Sequence, residues 1–189
     1  MVRDLSDVKK IFCIQGMSGA GKDTLTNKVS ELLNIHILVS HTTRPIRDGE
    51  VKDKTYYFVN DDFFKNQHDN FLELRNYQVW NGDIWHYGLH KIEVLNKPYS
   101  LFIVDRQGYE ELKETFNKEL VSIMINVDKE ELIKRLKARG DNHKEISRRI
   151  EDDIKRFDGF VPDYIIENNM LEESIVELSN IIKSEMGKL

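Results

Sequence analysis

Residues 11–24 read Ile-Phe-Cys-Ile-Gln-Gly-Met-Ser-Gly-Ala-Gly-Lys-Asp-Thr. An apolar run ends in Gly16-Met17-Ser18-Gly19-Ala20-Gly21-Lys22, and Leu25, Val29, Leu32 and Leu33 then recur at helical spacing. This is the phosphate-binding pattern G-x-x-x-x-G-K-[ST] with one departure, Asp23 at the last position. The pattern constrains the fold because it works only in the order strand, tight loop, helix. The glycines reach backbone angles that are costly for other residues. Successive N–H groups can then turn inward around an anion, and the helix start adds its own unpaired N–H groups and dipole. Lys22 would reach the outer phosphates of ATP. Gly16, Met17, Ser18, Gly19, Ala20, Gly21, Lys22, Asp23 and Thr24 are therefore the candidate ATP contacts. A Gly-rich turn between two core elements is the bland alternative, and the strand–loop–helix context together with Lys22 argues against it.

The rest of the chain fits such a setting. At 189 residues it is long enough for one domain with a sizeable core. Further apolar runs at 36–39, 101–104, 121–126 and 164–166 read as short buried strands, and helical patterns cover 22–33, 107–117, 128–138, 145–157 and 171–187. Strand alternating with helix predicts an α/β fold, a parallel sheet core with helices on both faces. Residues 55–95 break this rhythm. They are rich in Tyr, Phe and Trp, with turn signals at Asn60-Asp61 and Asn81-Gly82-Asp83, and they predict a small β-rich insertion. Trp80 and Trp85, flanking the second turn, read as packing residues.

Charge and cysteine use narrow the function classes. A net charge of −5 argues against a general nucleic-acid binder. The single cysteine, Cys13, excludes an internal disulfide and reads as a buried thiol. No run is long enough to span a membrane, and residues 1–7 lack a signal-peptide core, so the cytoplasm is the expected location. His41, His86, His90 and His143 have no metal-ligand partner at a persuasive spacing. Monomer and homodimer are equally compatible with the sequence.

A second constellation follows the second predicted strand: Ser40-His41-Thr42-Thr43-Arg44-Pro45-Ile46-Arg47-Asp48-Gly49-Glu50, then Tyr56-Tyr57-Phe58. Two arginines three apart around a proline-stiffened turn can fork onto one phosphate, and Tyr56 can add a hydroxyl. Taken alone, the run reads more readily as a solvated basic loop. The stretch 134–149 is also basic, and its Arg135 and Arg139 share a helical face.

The run 40–58 resembles guanylate kinases, which carry Ser-x-Thr-Thr-Arg-x-x-Arg-x-Gly-Glu followed by Tyr-x-Phe. The resemblance continues through Phe71-Leu72-Glu73, Tyr87-Gly88, Asp105-Arg106-Gln107-Gly108, Arg135-Leu136-Lys137-Ala138-Arg139-Gly140 and Asp163-Tyr164-Ile165-Ile166-Glu167-Asn168. These motifs keep the family's order over roughly residues 10–170. The resemblance implies a single kinase domain in three parts. A P-loop NTPase-like core (about 9–39, 96–134 and 150–189) takes ATP, a subdomain at about 40–95 takes GMP, and a short helical lid at about 135–149 closes over the phosphates. The implied reaction moves the γ-phosphoryl group of ATP to GMP with Mg2+, as in purine nucleotide metabolism.

The same resemblance implies that Lys22, Arg135, Arg139 and Arg149 are catalytic, with Arg148 a rival to Arg149. Asn168 would touch adenine, although Asn168-Asn169 also reads as a turn. Ser40, Arg44, Arg47, Tyr56, Glu73, Tyr87, Gly88 and Asp105 would hold GMP. Glu73 would accept from guanine N1–H and its 2-amino group, and Ser40 would donate to O6. Asp23, whose carboxylate is a hard oxygen donor, and Asp105, which ends a buried strand facing the loop, are the candidate magnesium ligands, directly or through water; Asp105 also reads as a helix N-cap.

Four positions depart from the family pattern: Asp23, Leu89 after Tyr87-Gly88, Ile103 two residues before Asp105, and Asp141-Asn142-His143-Lys144-Glu145 in the lid. The Gly-Lys-Asp loop also resembles ribose 1,5-bisphosphate phosphokinases. A kinase of another phosphate acceptor and a guanylate-kinase-like binding module of little activity therefore stand as alternatives. The 40–50 run with Glu73 favours GMP, and Lys22 with the lid arginines favours an enzyme.

Overall fold

A computed structural model describes residues 5–78, 82–138, 140 and 143–188. Two sheets organise the chain. The first is wholly parallel, with strand order β2-β7-β1-β8-β9: β1 Lys10–Gly16, β2 His36–Ile37, β7 Tyr99–Ile103, β8 Leu120–Asn126 and β9 Tyr164–Glu167. Each of these strands is followed in the chain by a segment that leaves the sheet. The helices are α1 Lys22–Leu33, α2 Asp61–Asn66, α3 Arg106–Phe116, α4 Lys129–Ala138, α5 His143–Phe157 and α6 Leu171–Met186.

Alternation along β1 explains why it reads as an unbroken apolar run. Phe12 and Ile14 enter one core with Leu25, Val29, Leu178 and Ile182 from α1 and α6. Ile11 and Cys13 enter a second core with Tyr109, Leu112 and Phe116 from α3. A parallel strand covered on both faces needs apolar side chains in both directions. Burial also pushes the Cys13 thiol pKa up. The expected α/β core with helices on both faces is what the structure has, although the predicted strand 36–39 pairs only at His36–Ile37. Leu38 N–H still donates to Leu101 carbonyl at 2.8 Å, but Val39 N–H turns away to Glu93 Oε2 at 3.3 Å, which ends the ladder.

The second sheet has the order β4-β3-β6-β5: β3 His41–Thr42, β4 Tyr57–Phe58, β5 Phe71–Gln78 and β6 Ile84–His90. β5 and β6 form an antiparallel hairpin paired from Phe71↔His90 to Gln78↔Ile84. Of its expected turn, Asn81-Gly82-Asp83, Asn81 lies outside the described residues, as does Trp80, and Gly82 has φ 91°. β3 pairs β6 antiparallel and β4 parallel, by two residues each. This sheet is the predicted β-rich insertion. Its packing is aromatic: the His41 ring lies 5.2 Å from Phe63, stacked, and 5.7 Å from Phe71, edge-on.

The loop between β1 and α1 is set by close approaches. Gly16 has φ 144°, and a Cβ there would sit 2.3 Å from the Ile125 carbonyl oxygen of β8. Gly21 caps α1 in the left-handed region, φ 90°, and a Cβ there would meet Asn168 Nδ2 at 2.6 Å. Gly49 shares the left-handed φ, at 83°, but faces open space.

These observations fix two expectations. Gly49→Ala should cost about 1–2 kcal/mol, the left-handed strain alone. Gly21→Ala adds a clash with the Asn168 side-chain amide and should cost measurably more, about 2–4 kcal/mol by urea unfolding; equal costs would show that the Asn168 contact yields freely. The second expectation concerns His41, whose pKa burial lowers to about 4, with nearby His90 acting in the same direction. The unfolded chain then takes up a proton below about pH 6.5 that the folded chain refuses until about pH 4, so stability is intact above pH 6.5 and falls through that window. At pH 5 the loss should reach about 1–2 kcal/mol relative to pH 7, and His41→Phe should largely remove it.

Candidate functional site

The loop and the helix it starts carry the expected groups. Lys22, at the first position of α1, donates from Nζ to the carbonyls of Gly16 at 2.8 Å and Met17 at 3.0 Å, which folds the ammonium over the loop. Asp23 and Thr24 follow, both exposed. A loop amide already holds an anion: Ser18 N–H donates to Asp153 Oδ2 of α5 at 2.6 Å. Asp153 is buried, and Arg156 lies 3.6 Å from its other oxygen. Sequence reading had no role for Asp153, because Glu151-Asp152-Asp153 reads as a solvated acidic run.

Two distant residues converge on the same loop. Asn168, at the end of β9, donates from Nδ2 to Ala20 carbonyl at 2.7 Å. Arg135, on α4, donates from Nη1 to that carbonyl at 3.3 Å, from Nη2 to Asn168 carbonyl at 3.0 Å, and from Nε to Glu131 at 3.0 Å. Asn168 is therefore a brace of the loop, with its Oδ1 buried and without a hydrogen-bond partner. Arg139 lies outside the described residues. Helical geometry separates the two candidate arginines of α5. Arg148 is exposed and pairs with Asp152 at 2.7 Å, whereas half-buried Arg149 is four residues before Asp153 and shares its loop-facing side.

The second sheet presents a cluster of cations and phenols. Arg44 is buried at 3% exposure and forks onto Glu50, Nη1 to Oε2 at 3.0 Å and Nη2 to Oε1 at 2.6 Å. Its Nε donates to Tyr87 hydroxyl at 3.1 Å, and its guanidinium lies 5.3 Å from the Tyr56 ring. Burial works against the charge on Arg44, but Glu50 outweighs it and the arginine pKa stays raised; burial likewise works against charge on Glu50, and Arg44 holds its pKa down. Glu50 also accepts from Arg47 N–H at 2.7 Å, so one carboxylate sets the 44–50 turn. Arg47 is exposed, its guanidinium 5.9 Å from the Trp85 ring. Ser40 is buried, and its carbonyl accepts from Tyr57 N–H at 2.9 Å. Burial raises the Tyr56 hydroxyl pKa, Tyr87 and Asp23 of α1 add to the rise, and Arg75 and Arg44 oppose it.

Glu73 stands at the far end of this cluster. Both its oxygens are taken by Arg75, Nε to Oε2 at 2.6 Å and Nη2 to Oε1 at 2.9 Å. Arg75 escaped sequence reading, although two residues apart on a strand is a same-face spacing that could have flagged it. Gly88, opposite Leu74 on β6, admits Phe71 and Leu74 side chains where a Cβ would clash. Asp105 caps α3, accepting from Gly108 N–H at 3.0 Å; it also accepts from Tyr77 hydroxyl and lies 3.5 Å from Arg75 Nη1. Its oxygens are thus committed to the second sheet and α3. Among the departures from pattern, Leu89 is fully buried in the core beside α3, and Ile103 packs against the other core. Among the described residues, no group of three or more His, Cys, Asp or Glu is placed to hold a metal ion, and no helix is long and apolar enough to cross a membrane.

Comparison with known proteins agrees with this architecture. The sequence model described as guanylate kinase matches residues 8–185. Guanylate kinase of Prochlorococcus marinus subsp. pastoris is 32% identical over 190 residues, covering 95% of this chain and 100% of that protein. Guanylate kinase of Fusobacterium nucleatum is 32% identical over 182 residues, covering 92% and 96%. The crystal structure of guanylate kinase from Anaplasma phagocytophilum superposes with a TM-score of 0.66 at 30% identity, covering 94% of this chain and 86% of that one. With its loop, its second sheet and its helical pair in the same order along nearly the whole length, the chain belongs to the guanylate kinase family.

Proposed function

We infer that this protein is an ATP-dependent guanylate kinase, a cytoplasmic enzyme of purine nucleotide metabolism that moves the γ-phosphoryl group of ATP to GMP, giving ADP and GDP. The observation that carries this reading is the presence of two built anion sites in one chain. The 16–22 loop already holds the Asp153 carboxylate on an amide, and Arg44, beside Tyr87 and Tyr56 in the second sheet, already holds that of Glu50. Phosphoryl transfer asks a protein chiefly for positioning and for positive charge around the moving group.

In this reading Lys22 and the loop amides hold the ATP phosphates, and Asn168 offers its unpartnered Oδ1 to the adenine amino group. Arg44, Arg47, Tyr56 and Tyr87 hold the GMP phosphate, whose oxygen is already anionic and needs no strong base. Ser40, Glu73, Gly88 and Asp105 belong to the base end. Arg135 and Arg149 supply charge beside the loop, with Arg139 in the same lid. Asp23, a hard oxygen donor one residue past Lys22, fits Mg2+ directly or through water, and Asp105 fits less well because its oxygens are engaged. Bound there, magnesium would offset the triphosphate charge. Closure of the lid and of the second sheet would exclude water and protect ATP from hydrolysis.

Release of ADP from Mg-ATP, measured with GMP, dGMP, AMP, UMP, CMP, IMP and ribose 1,5-bisphosphate, tests the reading. Guanine or hypoxanthine nucleotides should stimulate release well above the no-acceptor rate; a rate with GMP equal to that control sinks the proposal. Arg149→Ala should lower kcat by about 10³-fold, whereas Arg148→Ala should change it by less than about threefold. The reverse order would move the lid assignment to Arg148.

A further inference from the structure

β5 places Glu73 and Arg75 on one face of the second sheet, against the start of α3. Gly108 makes room for them: a Cβ there would lie 3.0 Å from Arg75 Nε and 3.0 Å from Glu73 Oε2. The guanidinium forks onto both carboxylate oxygens, and its remaining nitrogen faces Asp105 at 3.5 Å. The Glu73 side chain has 0% exposure; Arg75 has 8% and Asp105 13%. The groups of this cluster that a ligand can reach are therefore Arg75 and Asp105, and Glu73 lies behind them. Asp105 in turn accepts from Tyr77 and from Gly108 N–H.

Guanine differs from hypoxanthine by one feature, the 2-amino group next to N1–H. A carboxylate with both oxygens open can accept from the two donors together, and that pairing is what separates the bases. Arg75 already fills that double acceptor, and a guanidinium has only donors to offer in its place. At the Glu73 position guanine's amino edge would meet a cation where it needs an anion, and Asp105, the carboxylate within reach, already accepts from Tyr77 and from Gly108 N–H. Displacing the arginine would leave a buried cation without its partner, which the low-dielectric setting penalises.

We propose that Arg75 is a specificity-determining residue that withdraws Glu73 from base reading, so that the site takes 6-oxopurine monophosphates without reading the 2-amino group. The proposal rests on the second sheet being the acceptor site, as in the proposed function. Arg75 acts through its hold on Glu73 and through the space its guanidinium occupies.

The test compares GMP, IMP and AMP by calorimetric binding and by kcat/KM, in the native protein, Arg75→Ala and Glu73→Gln/Arg75→Ala. The native protein should favour GMP over IMP by less than about threefold, and Arg75→Ala should raise that ratio by about tenfold or more through tighter GMP binding, the worth of hydrogen bonds to a charged acceptor. The double variant, with a single carbonyl acceptor, should fall back toward the native ratio, and AMP should bind alike throughout. A native preference above about tenfold, or a ratio unmoved by Arg75→Ala, overturns the proposal. Arg75→Lys covers the case in which Arg75→Ala does not fold: a single-point donor frees one oxygen and should give an intermediate rise, and an unchanged ratio there is equally fatal. Intact GMP binding with no turnover on any acceptor would sink the kinase reading alone; brisk turnover with strong native discrimination would sink the Arg75 assignment alone.

Discussion

Three segments far apart in the chain meet at one carbonyl, that of Ala20. Asn168 from the end of β9 and Arg135 from α4 both donate to it, and Gly21 next to it turns the chain into α1. The rest of the loop and its surroundings depend on this meeting point. It fixes the loop against the sheet edge where β8 and β9 end, and it binds the arginine-bearing helix α4 to the same place. Because Gly21 has no Cβ, the Asn168 amide can approach closely enough to make the bond. A backbone acceptor buried in a tight loop has to be satisfied by something, and here the partners are two of the residues the family pattern marks.

The second sheet is held by another kind of force. Its centre is a row of arginine–carboxylate forks, Arg44 on Glu50 and Arg75 on Glu73, with Tyr87 beside both guanidinium groups. Bidentate pairs of this kind fix orientation as well as charge. Breaking one leaves the other ion stranded out of water, which is far costlier than the pair is worth. The first sheet needs no such devices, since its strands are held by aliphatic side chains on both faces. Rigidity thus comes from packing in one half and from directed polar pairs in the other.

What could be read from the sequence follows this division. The runs 11–14 and 121–126 are legible because burial on both faces demands apolar residues at every position. The loop is legible because its glycines and lysine answer to local backbone chemistry. β3 and β4 are not legible as strands: each is two residues long and exists only through its partners. The roles of Arg75 and Asp153 depend on which face of an element meets which neighbour. Arg75 had a spacing signal on β5, whereas Asp153 had none, since an acid on an exposed-looking helix acquires meaning only when the loop arrives beside it. Glu50 belonged to the matched motif, but its work as the partner of Arg44 is a matter of geometry.

The segment 43–56 carries Arg44 and Arg47, and it is fastened at its ends by the two-residue pairing of β3 with β4 and, within, by the Glu50 fork. Few backbone hydrogen bonds tie it to the sheet, and most of its residues are exposed. Regions so lightly fastened open at a free energy far below that of the whole molecule. Amide hydrogens there should exchange with solvent through local opening, while those of β1 and β8 wait for global unfolding. The residues on either side of the Arg44–Glu50 fork are thereby the part of this half whose backbone pairing is cheapest to undo.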